Sequence, residues 1–205
     1  MRENSEVFVG LDTSKQKISV AIADTRRRGE VRFFGDIDST PATVERMVKK
    51  LAERHHKLSF CYEAGPTGYE LHRQITALGH ECIVVAPSLT PQRPGERVKT
   101  NRRDAVSLAK LHRAGELTAV WVPDSAHEAV RELVRARETT MEELRRARQH
   151  LQSFLLRHGR IFTGRTAWSK AHTRWLCEQT FDHPAQNIVL TEYRQIGRAS
   201  CRERV

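Results

Sequence analysis

Four oxygen-bearing side chains carry the chemistry this sequence can offer. Asp12 follows the apolar run 7–11, Glu63 follows the run 58–62, and Asn101 and Asp104 stand three residues apart at the start of an expected helix, on one of its faces. Hard divalent cations such as Mg2+ take oxygen ligands, and two of them held ~3.5–4 Å apart stabilise both the attacking and the leaving oxygen of a phosphodiester transfer. Each residue alone has a simpler use. An Asp after a strand forms turns, Glu63 ahead of Ala-Gly-Pro-Thr-Gly can accept backbone N–H bonds, Asp104 suits the positive end of a helix, and Asn101 suits an N-cap. A site is expected because one topology brings all four together.

Lys15, Lys99, Arg102 and Arg103 flank the acidic positions and are candidates to grip phosphates, against the simpler reading of solvated surface charge. His55 and His56 are expected to end a helix, where a cation is favoured, rather than to catalyse. Thr13 and Ser14 lack a neighbouring base and read as turn residues. The cysteines read as buried apolar fillers.

The elements that must position these groups follow from periodicity. Residues 7–11 form a β-rich run that stops at Asp12-Thr13-Ser14-Lys15, residues 17–23 alternate with period two, and 31–37 read as a third strand after the turn Arg26-Arg27-Arg28-Gly29. The turns are short enough for hairpins, so an antiparallel meander is expected. Thr40 as N-cap and Pro41 at the first helical position start a helix reaching about His55. Residues 58–62 are a fourth strand, 67–78 a second helix ended by Gly79, and 82–86 a fifth strand that reads as fully buried. Pro87, Pro91 and Pro94 mark 87–98 as a loop, and 101–114 are a third helix. In this order the first and fourth strands are neighbours, which brings Asp12 and Glu63 within metal-bridging distance.

Beyond Trp121, Pro123-Asp124-Ser125 cap a helix free of Pro and Gly until Gly159, about 34 residues or ~50 Å long. Ala129, Leu133, Ala136, Leu144, Ala147, Leu151, Phe154 and Leu155 form an apolar stripe at spacings of three, four and seven, broken at Thr140. Leu133, Leu144, Leu151 and Phe154 are expected to bury against a partner helix or second subunit, so the segment is a helical arm or coiled-coil spacer that oligomerises. Residues 160–195 read as helical with weak patterning. The stretch 196–205 has neither capping nor core pattern and reads as a non-native tail, which makes the chain a fragment that is inactive alone.

Composition narrows the classes. Of 205 residues, 39% are hydrophobic and 29% charged, and 35 Lys and Arg against 25 Asp and Glu leave a net charge of +10, which favours a polyanionic partner. Cys61, Cys82, Cys177 and Cys201 are too scattered for a disulfide scaffold or a zinc knuckle. Apolar stretches such as 82–86 fall far below the ~20 residues of a membrane span, and the opening Met-Arg-Glu-Asn-Ser-Glu lacks the apolar core of a signal peptide. A soluble, cytoplasmic protein with no membrane partner is expected.

Three blocks then carry a resemblance: Val-Gly-Leu-Asp-Thr-Ser-Lys at 9–15, Tyr-Glu-Ala-Gly-Pro-Thr-Gly at 62–68 and Val-Lys-Thr-Asn-Arg-Arg-Asp-Ala at 98–105. In order and spacing they resemble the insertion sequence 110 transposases, over residues 5 to 160. The resemblance implies an α/β, RNase H-like (RuvC-like) DEDD domain, a mixed sheet of order βββαβαβα followed by a long helical arm. It implies Asp12, Glu63 and Asp104 as the first, second and fourth acidic positions, with Asn101 where the family usually has Asp. An amide oxygen still ligates Mg2+ or Mn2+ but brings no charge. The family further implies DNA cleavage and exchange, a DNA partner, a guide-like non-coding RNA, and a second, carboxy-terminal domain with a serine nucleophile, to which nothing here corresponds. The expected organisation is a catalytic domain at 5–122, an arm at 123–159, the start of a helical region at 160–195 and the tail. Two other classes compete: a non-catalytic nucleic-acid-binding or oligomerisation module, and an actin-like kinase or ATPase, which needs a second phosphate-binding glycine segment and a longer chain.

Overall fold

The computed structural model describes residues 3–25, 29–91 and 100–202, with side chains over 6–25, 29–91 and 100–195. The chain divides into two compact units, Met1–Val122 and Pro123–Val205. No helix among the described residues is long and apolar enough to cross a membrane.

The first unit runs β1 (Glu3–Thr13), β2 (Lys17–Asp24), β3 (Val31–Asp38), α1 (Pro41–Ala52), β4 (His55–Glu63), α2 (Glu70–Ala77), β5 (Glu81–Val85), a 3-10 turn (Pro87–Leu89) and α3 (Asn101–Ala114). Its single sheet has the order β3-β2-β1-β4-β5, with β1, β2 and β3 antiparallel and β4 and β5 parallel to β1. This is the RNase H-like arrangement. Several boundaries differ from the sequence reading, each for a tertiary reason. β1 extends beyond 7–11 at both ends, so Asp12 lies inside the strand, paired with Ser19, rather than after it. The same extension recruits the polar start of β4: Glu3 pairs with His55 and Glu6 with Lys57, whose Nζ lies 2.9 Å from Glu6 Oε1 and 3.4 Å from Glu81 Oε1. His55 and His56 therefore open a strand and do not cap a helix. α2 begins at Glu70 rather than 67 because Gly65 to Gly68 form a turn, closed by the Gly68 N–H on Gly65 O at 3.2 Å with Gly68 at φ 67°. β5 is an edge strand, so only Val84 and Val85 are buried in a segment read as buried throughout.

The two sheet faces differ in side-chain size. Val7, Val9, Leu11, Val20, Ile22, Phe60 and Tyr62 pack under Val44, Val48 and Leu51 of α1 and Ile75 of α2. On the other face Ala21 and Ala23 meet Ala105 and Ala109 of α3, and Cys61 meets Leu108. A Cβ on Gly10 would lie 2.4 Å from Ala105 O and 2.4 Å from Ala109 N, so α3 rests directly on the β1 backbone. Arg113 Nη1 donates to Asp24 O at 3.2 Å and to Gly29 O at 2.9 Å, and Ser59 Oγ lies 2.9 Å from His112 Nε2, which fixes the far end of α3.

The second unit contains α4 (Ser125–Arg157), α5 (Lys170–Glu178) and α6 (Pro184–Arg202). Asp124 caps α4 by accepting from the His127 N–H at 2.8 Å. Leu144, Ala147, Leu151, Phe154 and Leu155 are buried, and Leu151, Phe154 and Leu155 form a core with Leu176 of α5 and Leu190 of α6. Within the chain Leu133 is 71% exposed, and Ala129 and Ala136 are exposed with it, so no helix of the same unit covers this end of the stripe. The reason is length. α4 has 33 residues, ~50 Å, and α6 has 19, ~28 Å, so its neighbour within the unit reaches only the carboxyl-terminal half. α6 runs on through Ile196 into the stretch read as a tail.

Candidate metal centre

Strand alternation decides which groups face α3. Val7, Val9 and Leu11 lie in the large-side-chain core, so Phe8, Gly10 and Asp12 take the α3 face. By the same count Leu58, Phe60 and Tyr62 take one face of β4, and Ser59, Cys61 and Glu63 the other. β1 and β4 are parallel with Leu11 opposite Tyr62, which sets Asp12 beside Glu63 at the carboxyl end of both strands. α3 delivers the third carboxylate. Its Ala105 and Ala109 sit on Gly10, leaving Asp104, half-buried, in the first turn at the same rim. The cap of α3 is Thr100, whose side chain accepts from the Arg103 N–H at 3.3 Å, so the capping role offered to Asn101 belongs to its neighbour.

The electrostatics tie the three together. The Asp12 pKa is raised, first by burial and then by the negative charges of Asp104 and Glu63. Three carboxylates thus share one field at the end of the sheet. Among the described residues no group of three or more His, Cys, Asp or Glu side chains is gathered tightly enough to hold a metal ion, and mutual repulsion among the three opposes their closing together. The donor set itself, carboxylate oxygens, fits a hard divalent cation. Asn101 is exposed at the first helical position, one turn beyond Ala105.

The basic candidates spread around this rim. Arg102 lies over the Phe33 ring at 5.1 Å to the centroid, Arg103 is exposed on the same turn, and Lys15 is exposed in the β1–β2 turn. Lys99 lies outside the described residues. Ser14 Oγ donates to Lys17 O at 2.8 Å and accepts from Lys17 N–H at 3.2 Å, which makes it a turn residue. Cys61 is buried and burial pushes its thiol pKa well up, as befits a filler, but Cys177 is exposed.

Two groups at the rim escaped sequence reasoning. Ser19 pairs directly with Asp12 across β1 and β2, and its Oγ donates to Asp36 Oδ1 of β3 at 2.5 Å. Asp36, Ser19, Asp12 and Glu63 therefore form one row across four strands. An acidic residue standing inside a strand was the available signal, and only the register puts it in this row. A cavity of about 570 Å3 opens at the same end of the sheet, lined by the β1–β2 turn, the start of α1 and α2.

A family model described as a transposase, of the insertion sequence 110 DEDD type, matches residues 9–159. A protein of Sinorhizobium fredii (strain NBRC 101917 / NGR234) named as a transposase, y4qE, is 57% identical over 187 residues, 91% of this chain and 48% of that protein. The transposase for insertion sequence element IS1533 of Leptospira borgpetersenii is 32% identical over 190 residues, 92% of this chain and 55% of that protein. The chain spans about half the length of the curated relatives it matches. Among solved structures, T. thermophilus RuvC in complex with Holliday junction substrate aligns with 56% of this chain and 99% of its own at a TM-score of 0.38 and 11% identity.

Proposed function

Starting from a chain that belongs to the insertion sequence 110 family of DEDD transposases, we propose that its first unit is the carboxylate domain of a DNA transposase, serving divalent-metal-dependent strand cleavage and exchange. The observation that carries this reading is that strand register and the α3–Gly10 contact set Glu63 and Asp104 at the same rim as Asp12, whose pKa is raised first by burial and then by those two charges. Such a cluster is unfavourable by itself and becomes favourable when a cation is shared.

In this reading Asp12, Glu63 and Asp104 hold Mg2+ or Mn2+, and Asn101 offers a neutral oxygen at the edge of the set. The cation, when bound, supplies Lewis-acid stabilisation of charge on phosphate oxygens. The chain's own residues orient the centre. The Gly10 contact sets the height of α3, Thr100 anchors its first turn, and Ser19, between Asp12 and Asp36 in the row, holds Asp36 on the neighbouring strand. Lys15, Lys99, Arg102 and Arg103 neutralise phosphates of the bound strand, DNA in the first place and a non-coding RNA as a further partner. The long helix α4 serves as an oligomerisation arm. Positions 130, 133, 137, 140, 144, 147, 151 and 154 continue one alternating spacing of three and four; the later ones pack within their own unit, whereas Val130 and Leu133 are exposed and suit a second copy of the chain.

The test is metal-dependent thermal shift on this chain, paired with nicking of supercoiled DNA by a full-length relative such as the Sinorhizobium fredii protein. Mg2+ is expected to raise the melting temperature of the wild type and not of Asp12→Ala, and the equivalent substitution in the relative should abolish nicking. A shift that persists in Asp12→Ala would instead favour a non-catalytic nucleic-acid-binding or oligomerisation module.

A further inference from the structure

The cavity at the end of the sheet belongs to the other side of the strands from the carboxylates. Asp12 and Thr13 are consecutive in β1 and so take opposite faces: Asp12 turns to α3, and Thr13 lines the cavity. Its volume of about 570 Å3 lies within the ~300–1,000 Å3 of small-molecule sites and accommodates a base with its sugar. The apolar lining is Ile18, Val44 and Leu71, and the polar lining includes Thr13, Thr67, Lys15 and Glu70, whose carboxylate lies 3.6 Å from Arg73 Nη1.

The walls are tied in place. Gln74 Nε2 donates to Pro41 O at 2.6 Å, joining α2 to the start of α1. Ser39 Oγ donates to Lys15 O at 2.9 Å, holding the β1–β2 turn against the end of β3, and Thr13 Oγ1 lies 3.3 Å from Thr67 Oγ1, which ties the end of β1 to the segment before α2. The slot is therefore built before any ligand arrives, which lowers the ordering cost of binding.

An apolar slot with hydroxyls and Lys15 at its lip, and with its one carboxylate, Glu70, offset by Arg73, suits a flat ring with polar edges that is attached to a phosphate. Enzymes that do chemistry on a base hold it out of the stack in such a pocket, and the same burial of a flat ring would here position the neighbouring phosphate. Resting on the function proposed above, the geometry points to this slot as the pocket for one unstacked nucleobase of the strand whose backbone lies at Asp12 and Glu63, with Lys15 on the adjoining phosphate. Because Asp12 and Thr13 are chain neighbours, the carboxylates and the lip stand at the same end of the sheet, on its two faces. The flat ring is common to DNA and RNA, so both strands are candidates.

The experiment titrates the 205-residue chain into single-stranded oligonucleotides carrying one 2-aminopurine, in DNA and RNA forms. Removal of that base from its neighbours brightens it, and a ~2-fold or greater rise at saturation is expected for whichever sugar the slot accepts. Thr67 is exposed at the lip, and Thr67→Trp should fill the opening and abolish the rise, with its unfolding midpoint reporting that it folds. A second measurement needs no variant: 4-thiothymidine or 4-thiouridine strands should photocrosslink wild-type protein in the peptides that hold Leu71 or Val44. No brightening, brightening undiminished in a folded Thr67→Trp, or crosslinks confined to α3 would overturn the pocket. Failure of the carboxylate reading shows separately, as a Mg2+-dependent thermal shift that Asp12→Ala leaves intact; loss of the base signal with an Asp12-dependent shift retained overturns the pocket alone.

Discussion

Asp12 is a carboxylate whose surroundings favour its protonated form. Burial, Asp104 and Glu63 all raise its pKa above the ordinary 3.8. The folded-state value is thus above the unfolded one, so the stability this group contributes is complete below 3.8 and is lost as pH rises through the raised folded value. At neutral pH, ionised Asp12 lowers stability. Asp12→Asn, neutral throughout, is therefore expected to raise the melting temperature in metal-free neutral buffer by about 1–4 °C and to remove the Mg2+-dependent shift, both read by calorimetry. A lower neutral-pH melting temperature for this variant would contradict the shared field. His112 has the opposite sign: burial lowers its pKa, so its contribution is present above the ordinary 6.5 and is lost as pH falls through the lowered folded value. Asn101→Asp sets two small effects against each other, since an acid in the first turn suits the helix dipole while Asp104 three residues on repels it. The metal-free stability should change by less than ~0.5 kcal/mol, and the Mg2+-dependent shift should grow. An unchanged shift places Asn101 outside the centre.

Among the elements, α3 has the least room for error. Gly10→Ala adds a methyl 2.4 Å from two backbone atoms of α3, and backbone cannot move aside as a side chain can. A loss of about 1–3 kcal/mol is expected in denaturant unfolding, with a weaker Mg2+-dependent shift because Asp104 rides on the displaced helix. Retention of both would mean that α3 does not rest on β1. On α4 the two halves of one stripe should respond differently. Leu151 is buried among α5 and α6, so Leu151→Ala should cost about 2–5 kcal/mol, whereas Leu133→Ala, exposed within its own chain, should fall within ~0.5 kcal/mol at concentrations where the chain is monomeric. Equal costs in the monomer would indicate that the first half of α4 is covered within its own chain as well as the second.

For the whole molecule, the exposed half of α4 bears on assembly. Leu133→Glu introduces a charge where Val130 and Leu133 present apolar surface, 61% and 71% exposed, and should lower the molar mass in sedimentation equilibrium while far-UV helicity is kept. A wild-type chain that is monomeric at high concentration would remove the arm's oligomeric role. The comparison of sequence with structure divides along the range of the forces involved. Local chemistry determined the order of elements: alternation marked β2, Pro41 began α1, and the bounds of α3, Asn101–Ala114, agree with the sequence reading, Gly115 closing the helix at φ 70°. Capping by Asp124 and the absence of Pro and Gly delimited α4 in the same way. These features depend on residues within a turn or two of one another. What only the tertiary structure decided depends on residues far apart in the chain. The extension of β1 over the polar start of β4 placed His55 and His56 in a strand, the register of four strands aligned Asp36 and Ser19 with Asp12 and Glu63, and the glycine contact set Asp104 over the rim. The stripe on α4 reads alike along its length, yet the shorter reach of α6 settled which half is buried, because burial is a property of what lies opposite and no periodicity records it.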